Sequence, residues 1–240
     1  GVELTEAGEA FYDDACKILA LSDAALEKTR GIARGQNGSL SIGITSSNAF
    51  HPKIFTLIRQ YQLQNMAVQV HQVEANMSSL TAMLAEGELD IAFVRLPCES
   101  SKAFELSILD REPMVVALHR DHPLAACGDL ALEKLRDTSV VLFPQEVAPG
   151  LYDQVYSYCE RAGIDVQHAL QSSQLSSSLS MVSAGGGFAL VPKSMAAISP
   201  PNITYHALSS PEIYTDIALC WRRFERSHTV KRFLSTMNAQ

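Results

Sequence analysis

An alternation of strand and helix patterns, beginning at residue 39, is the strongest constraint on the fold of this chain. Residues 39–45 (SLSIGIT) read as a strand, 52–64 (PKIFTLIRQYQLQ) as a helix and 67–73 (AVQVHQV) again as a strand. A helix pattern at 78–87 and a strand pattern at 88–96 complete the series. Strands that alternate with helices form parallel sheets with right-handed crossovers, so the sequence predicts an α/β fold.

The same alternation starts again in the second half of the chain. Strand patterns at 139–143, 166–170 and 188–192 alternate with helix patterns at 151–163 and 175–185. Two successive units, each about the size of a small domain, predict two similar lobes rather than one continuous sheet.

The remaining elements set the predicted lobe limits. A strand pair is expected within 104–119, and a last strand (214–223) and helix (228–238) are expected to return to the first lobe, because the second is then complete. The prediction is therefore a first lobe formed by residues 39–118 together with 216–240, and a second lobe formed by residues 119–215.

Residues 1–38 read as one long helix that precedes the lobes. Thr5 can cap its first turn, and Glu6 and Glu9 favour the positive end of the helix dipole. About thirty residues at ~1.5 Å each give a rod of about 45 Å, longer than a compact lobe. A long core helix and a dimerising coiled-coil segment both fit this pattern, and length and a thin apolar stripe favour the second. The stripe consists of Ala7, Phe11, Ala15, Ile18, Ser22, Ala25, Thr29 and Ile32.

Charge and composition exclude several functional classes for these residues. The net charge is −7, from 19 Lys and Arg against 26 Asp and Glu, so a concentrated basic surface for nucleic acid is not expected here. No apolar run approaches the ~20 residues that span a bilayer, and the acidic first residues lack the order of a signal peptide. Five scattered cysteines without a CxxC pair predict reduced thiols and a cytoplasmic protein.

Small polar residues gather where the first two strands end. Ser46, Ser47 and Asn48 follow the first strand, and Asn76 follows the second. Each group can cap the next helix, and one of residues 46–48 is expected to do so. Three polar residues in a row exceed the need of one cap, so a site for an anion is the favoured interpretation, assisted by helix N–H groups. For Asn76, a cap and a ligand contact are equally supported.

Three further features are expected near the same place. Arg95 ends the third strand, where it can reach solvent or pair with a ligand carboxylate, and the second interpretation is favoured. Pro149 and Gly150 lie in LFPQEVAPGL (142–151), which is either a rigid loop or one wall of a cleft between the lobes. Leu151 and Phe50 would supply apolar walls.

Catalytic and cofactor motifs find no support in the sequence. The glycines of SAGGGFALVP (183–192) end a helix and precede a strand, the reverse of a phosphate-binding loop. His119 and His122 have H-x-x-H spacing but no evident third ligand. We therefore expect no metal, no cofactor and no enzymatic activity.

Five motifs, in this order and spacing, resemble those of LysR-type transcriptional regulators across essentially the whole chain. They are VELTEAG (2–8), GSLSIG (38–43), LAEGELDIAF (84–93), DHPLA (121–125) and VSAGGGFALVP (182–192). The resemblance implies a dimerising linker helix followed by a two-lobed effector domain of the type 2 periplasmic-binding-protein-like fold. It also implies that the family's N-terminal winged helix-turn-helix is missing from this sequence. The implied partners are a small carboxylate effector, DNA through the missing domain, further copies of the chain in a homodimer or homotetramer, and RNA polymerase.

The segments FVRL (93–96) and 142–151 resemble most closely the subgroup that responds to aromatic acids and muconate-like ring-cleavage products. That resemblance places Ser47, Asn76, Arg95 and residues 149–151 against the effector. Asn76 and Gly150–Leu151 stand where relatives carry Thr and Asn-Phe, which implies a roomier pocket. Two alternatives remain open from the residues alone, a stand-alone solute-binding receptor and an enzyme such as a dehydratase or deaminase on the same fold.

Overall fold

The structure, a computed structural model, describes residues 5–33, 38–98 and 102–238. The α-helices of these residues are α1 (Glu6–Ala33), α2 (Pro52–Gln64), α3 (Met77–Glu86), α4 (Pro149–Arg161), α5 (Leu175–Ser183) and α6 (His228–Asn238). The strands are β1 (Gly38–Ile44), β2 (Val68–Glu74), β3 (Ile91–Leu96), β4 (Phe104–His119), β5 (Leu130–Ala131), β6 (Val141–Leu142), β7 (Leu170–Gln171), β8 (Phe188–Pro192), β9 (Ile203–Ser210) and β10 (Tyr214–Arg222). Short 3₁₀ turns occupy Asn48–Phe50, Leu132–Leu135, Gln145–Val147 and Lys193–Ala197.

Local signals explain several helix ends. The Thr5 hydroxyl accepts a hydrogen bond from the Gly8 N–H at 3.1 Å, which confirms the predicted cap of α1. Pro52 and Pro149 occupy the first turns of α2 and α4, where a missing N–H costs nothing. Gly87 ends α3 with φ +81°, a conformation that glycine adopts without strain.

The sheet joins both halves of the chain through β4. Its hydrogen-bonded order is β2-β1-β3-β10-β4-β9-β5, with β8 also paired to β4. β1 runs parallel to β2 and β3, whereas β10 runs antiparallel to β3 and β4. The fold is therefore mixed α/β, with parallel strands at one end and antiparallel strands in the middle.

Two predictions about this region are wrong. Residues 104–119 form one strand, not a pair, because residues 104–113 pair with β10 while residues 114–119 pair with β8 and β9. For the same reason one sheet runs through both halves of the chain, where separate sheets were expected. The two-lobed fold itself agrees with the prediction, because each half of the chain has its own core. The predicted strands at 139–143 and 166–170 shrink to β6 and β7, which pair only over two residues.

Apolar residues pack into separate cores on either side of the middle of β4. The first core lies between β1, β3, α2 and α6. A smaller α3 core covers the opposite face of the same strands. The second core lies around the C-terminal half of β4, α4, α5 and β8, and it includes residues 114–118. The predicted lobe limits stay a prediction, and the packing places residues 114–118 with the second core. First-core members include Leu40, Ile54, Phe93, Val230 and Phe233; second-core members include Val116, Leu142, Leu151, Leu175 and Phe188.

α1 exposes large apolar side chains along its length. Its 28 residues correspond to about 42 Å at ~1.5 Å per residue. Phe11 and Ile18 of the predicted stripe are 75% and 66% exposed, and Leu19, Leu21 and Leu26 are exposed as well. Within the described residues, no helix combines the length and the apolar character needed to cross a bilayer.

Candidate functional site

The carboxyl ends of β1, β2 and β3 bring the predicted site residues together. These strands are parallel, so their C-terminal ends lie at one edge of the sheet. The loop after β1 carries Ser46 and Ser47, Asn76 follows β2, and Arg95 is the penultimate residue of β3. The N-termini of α3 and α5 face the same edge, because residues that start both helices line one cavity there.

Ser47 is buried and is held by two neighbours. Its Oγ lies 3.2 Å from Thr45 Oγ1 and accepts a hydrogen bond from Arg95 Nε at 3.0 Å. Because Arg95 can only donate, the hydroxyl proton of Ser47 is directed elsewhere, to Thr45 or to a ligand. Ser47 is thus prepared as a hydrogen-bond donor.

The prediction that one of residues 46–48 caps the following helix is wrong. α2 begins at Pro52 after His51, and neither His51 nor the N-cap residue of the 3₁₀ turn, Ser47, makes a side-chain cap. The Asn48 amide instead donates to the carbonyl of Phe93 at 3.0 Å, which ties the loop to β3. The serine hydroxyls are therefore not used for helix capping.

Arg95 is a buried ion-pair partner. Its Nη2 lies 2.7 Å from Glu112 Oε1 and also donates to the Ser47 carbonyl at 3.3 Å. Glu112 in turn accepts hydrogen bonds from the Ser194 N–H at 2.8 Å and the Ser194 hydroxyl at 3.1 Å. An internal carboxylate therefore already offsets the charge of Arg95, and the expected pairing of Arg95 with a ligand carboxylate stays a prediction. Its Nη1 remains buried without a hydrogen-bond partner among the described residues.

Glu112 carried no sequence signal for this role. It lies in the run LDREPMVV, directly after Asp110 and Arg111, and a charged residue among other charged residues is expected to be exposed. Only the pairing of β4 with β10, and of β10 with β3, brings it beside Arg95. Its burial therefore follows from tertiary register and not from local pattern.

Asn76 caps α3. Its Oδ1 accepts a hydrogen bond from the Ser79 N–H at 2.8 Å, so the cap alternative is confirmed for the oxygen. The residue also lines a cavity beside the β1 loop. The cap and a ligand contact do not exclude each other, because the cap uses only the oxygen of the carboxamide.

A polar cavity of about 210 Å³ lies between the β1 loop and the start of α5. Gln174, the N-cap residue of α5, faces residues of the first core's strands across this cavity. An exposed carboxylate, Glu74, also borders it. The full lining is Thr45, Ser46, Ser47, Glu74, Ala75, Asn76, Val147, Ala148, Gln174 and Leu175.

An apolar cavity of about 390 Å³ lies on the other side of Ala148. One face of α3 forms one wall, and the first turn of α4 forms the opposite wall. Its lining is Met77, Ser78, Thr81, Ala82, Ala85, Arg95, Pro97, Cys98, Ala103, Phe104, Ala148, Pro149, Gly150 and Leu151. Ala148 is the one residue that the two linings share.

The predicted site residues are thus divided between two cavities. Ser46, Ser47 and Asn76 line the polar cavity, whereas Arg95 and residues 149–151 line the apolar cavity. Phe50 lines neither cavity, because its 3₁₀ turn packs toward the turn formed by residues 193–197. Sequence reasoning missed Thr45, Glu74 and Gln174 in the polar cavity and Met77 and Phe104 in the apolar one.

Gly150 brings α4 against the segment after β3. A Cβ atom at this position would lie 1.7 Å from the Pro97 carbonyl oxygen. The missing side chain is therefore used for a close backbone approach rather than for the extra space that the sequence comparison implied. Pro97 and Gly150 both line the apolar cavity, so this approach forms part of its wall.

His51 is a buried histidine beside the same network. Its Nε2 lies 3.2 Å from Asp110 Oδ2, and its Nδ1 is buried without a hydrogen-bond partner among the described residues. Burial lowers the pKa of His51, while the nearby carboxylates of Glu112 and Asp110 partly oppose this effect. We expect His51 to be neutral at pH 7.

Comparison with known proteins gives a consistent result over the whole chain. Residues 33–240 match the family model described as LysR substrate binding domain. The HTH-type transcriptional regulator BudR of Raoultella terrigena is 65% identical over 234 residues, which are 98% of this chain and 81% of that protein.

Solved structures with the same fold include two regulators. The crystal structure of CbnR, a LysR family transcriptional regulator, superposes with a TM-score of 0.85 at 25% identity, over 99% of this chain and 81% of that chain. The BenM effector binding domain with its effector benzoate superposes with a TM-score of 0.72 at 26% identity, over 84% of this chain and 91% of that chain.

Proposed function

This chain belongs to the family of LysR-type transcriptional regulators, and from that premise we propose that its polar cavity binds a small carboxylate effector. The chain is the effector-sensing and oligomerisation portion of such a regulator, so the alternatives of an enzyme and of a stand-alone receptor are set aside. The observation that carries the proposal is Ser47, a buried hydroxyl whose acceptor side is occupied by Arg95.

The carboxylate would be held by neutral donors. Ser47 and Ser46 supply hydroxyl groups, Asn76 supplies the amide end of its side chain, and the first turns of α3 and α5 supply N–H groups. Arg95 acts on the effector through Ser47, since Glu112 already occupies its charge. Residues 149–151 form the wall beside the site. Phe50 lines neither cavity and is not part of the proposed site.

Glu74 adds a constraint on the ligand. Its exposed carboxylate borders the polar cavity and opposes a second negative charge there. We therefore expect monocarboxylates to bind more tightly than dicarboxylates of similar size. A relative's effector, benzoate in the BenM domain, is itself a monocarboxylate.

A carboxylate in this cavity would contact both cores. Ser47 lies at the end of a first-core strand, and Gln174 precedes α5, which packs in the second core. Binding would favour the lobe arrangement in which the carboxylate contacts both Ser47 and Gln174. The size of this shift equals the difference in the binding free energy of the ligand between that arrangement and one in which it makes only one of the two contacts. We propose that two lobes, residues 39–113 with 216–240 and residues 114–215, move relative to each other. The packing of residues 114–118 with the second core supports a boundary near the middle of β4.

The exposed apolar residues of α1 would pair with a second copy of the chain and carry the change to the rest of the assembly. DNA would be bound through a domain that this sequence does not include, in agreement with the net charge of −7. RNA polymerase is a further partner in this proposal, and the regulator would act in the cytoplasm.

Isothermal titration calorimetry with matched monocarboxylates and dicarboxylates tests the site. Ser47→Ala should weaken the best-binding carboxylate by about 10- to 100-fold, the value of a hydrogen bond to a charged group. Ser235→Ala removes an exposed hydroxyl on α6 and serves as the control, with unchanged affinity expected. Equal affinity of Ser47→Ala and the wild type would show that the polar cavity is not the effector site.

A further inference from the structure

The apolar cavity differs in character from the polar cavity, although only Ala148 is common to both. Side chains of Met77, Phe104 and Leu151 surround it, and Ala82 and Ala85 leave it open along α3. Its volume of about 390 Å³ falls within the range of small-molecule sites in proteins. Nothing in the proposed contacts of the carboxylate uses this space.

The polar groups of the apolar cavity do not favour a negative ligand. Among the described residues, Arg95 is the only charged one in this lining, and Glu112 offsets that charge at 2.7 Å. Burial raises the pKa of the Cys98 thiol, so this group is neutral at pH 7. The Thr81 hydroxyl donates to helix carbonyls at 2.9 and 3.1 Å, which leaves only acceptor capacity toward the cavity.

One donor in this lining lacks a partner. Arg95 Nη1 is buried and makes no hydrogen bond within the described residues, although the guanidinium otherwise binds Ser47 and Glu112. A buried donor without an acceptor carries a free-energy cost, because it has given up its hydrogen bonds to water. A ligand oxygen at this point would remove that cost without adding net charge.

We propose that the apolar cavity is a second binding site, separate from the polar cavity, for a compact uncharged molecule with an apolar body and one hydrogen-bond acceptor, such as an alcohol or carbonyl oxygen. The acceptor meets Arg95 Nη1, and the apolar body lies between α3 and the first turn of α4. Both cavities include residues of α3, the polar cavity at its N-terminus and the apolar cavity along its side. The two ligands therefore occupy different spaces, bind at the same time and contact the same helix.

Benzyl alcohol and benzoate are suitable probes, because they have nearly the same shape and differ in charge. Titration calorimetry and ligand-observed NMR should show that benzyl alcohol binds with one-to-one stoichiometry, in the millimolar range usual for so small a ligand. Ala85→Leu places three additional carbons at the C-terminal end of the α3 wall. Ser79→Leu is the matched control, since Ser79 is an exposed residue of α3 outside the lining.

The proposal requires that Ala85→Leu weaken benzyl alcohol by about tenfold or more and that Ser79→Leu change it by less than about twofold. Absence of benzyl alcohol binding, or equal effects of the two variants, overturns it. An equal loss of benzoate affinity in Ala85→Leu also overturns it, because the cavity would then accept the anion.

Thiol modification gives an independent measurement on the folded wild type. Benzyl alcohol should slow the reaction of Cys98 with iodoacetamide, followed by mass spectrometry, while exposed Cys127 reacts at its original rate. Equal rates at Cys98 with and without benzyl alcohol contradict the proposal. Ser46→Ala separates the two sites, because Ser46 lines the polar cavity and not the apolar one: this variant should weaken carboxylates and leave benzyl alcohol unchanged.

Discussion

Gly150→Ala tests whether α4 is held against the segment after β3. The added Cβ would lie 1.7 Å from the Pro97 oxygen, and ordinary contact begins at 3.4 Å, so the two atoms have to separate by about 1.7 Å. The obstacle is a backbone carbonyl and not the flexible end of a side chain. Relief therefore requires that the first turn of α4 or residues 96–98 move as a unit.

The sign of the effect makes this substitution informative. Alanine in place of glycine within a helix normally stabilises by about 0.5–1 kcal/mol. Forced overpacking typically costs about 1–3 kcal/mol, so the structure predicts a net loss. After subtraction of the helix gain, the net loss of up to about 2.5 kcal/mol lowers the melting temperature of a chain of this size by up to about 10 °C.

Urea unfolding followed by circular dichroism gives the free energy of unfolding directly. Gly128→Ala is the control, because a Cβ at that position meets no atom within 4 Å, and its effect should stay within about 0.5 kcal/mol. A Gly150→Ala protein as stable as the wild type, or more stable, would refute the close approach of α4 to the segment after β3.

Three further substitutions test the buried polar groups. Glu112→Gln leaves the Arg95 guanidinium buried without a counter-charge and should lower the free energy of unfolding by about 3–5 kcal/mol. Lys53→Gln, which breaks an exposed ion pair, is the control and should cost less than about 1 kcal/mol. Similar losses in the two variants would contradict the role of the buried pair. Because the pKa of His51 is lower in the folded than in the unfolded protein, stability should fall as the pH drops below about 6.5. His51→Gln should reduce the dependence of the free energy of unfolding on pH, measured by urea titration, by up to about 1.4 kcal/mol per pH unit. An unchanged pH dependence would contradict the lowered pKa of His51. Asn76→Ala removes the cap of α3 and should cost about 1 kcal/mol by the same method, whereas Asn76→Asp should restore most of it.

The sequence was sufficient to predict the framework of the site because the framework follows from periodicity. Parallel strands that alternate with helices place their carboxyl ends at one edge, and this rule predicts that Ser47 and Arg95 lie near each other. In the structure the two side chains are joined by a hydrogen bond of 3.0 Å from Arg95 Nε to Ser47 Oγ. The long helix α1, with its cap at Thr5, was predictable for the same reason, since its signals are local.

The details that the sequence did not predict depend on register and on close approach. Whether Arg95 is free or paired depends on which β4 residue lies beside it, and that is set by pairing with β10. The wall of the apolar cavity at the first turn of α4 depends on the contact of Gly150 with Pro97, which involves segments about fifty residues apart. No local sequence pattern indicates such a contact. The space left by the missing side chain of a glycine can therefore be occupied by the backbone of another segment, as it is at Gly150.

The pairing of Arg95 with Glu112 determines what kind of ligand each cavity can accept. In the polar cavity, a carboxylate relies on hydroxyl groups and helix N–H groups, because the nearest guanidinium serves only to hold Ser47. In the apolar cavity, the same guanidinium offers one unpaired N–H and almost no net charge. Because Glu112 also accepts two hydrogen bonds from Ser194, this internal ion pair links the end of β1 to a turn that packs with the second core. A ligand that reorients Ser47 therefore acts on a continuous hydrogen-bonded chain between the two cores, and it does so without any charged group of the protein changing partner.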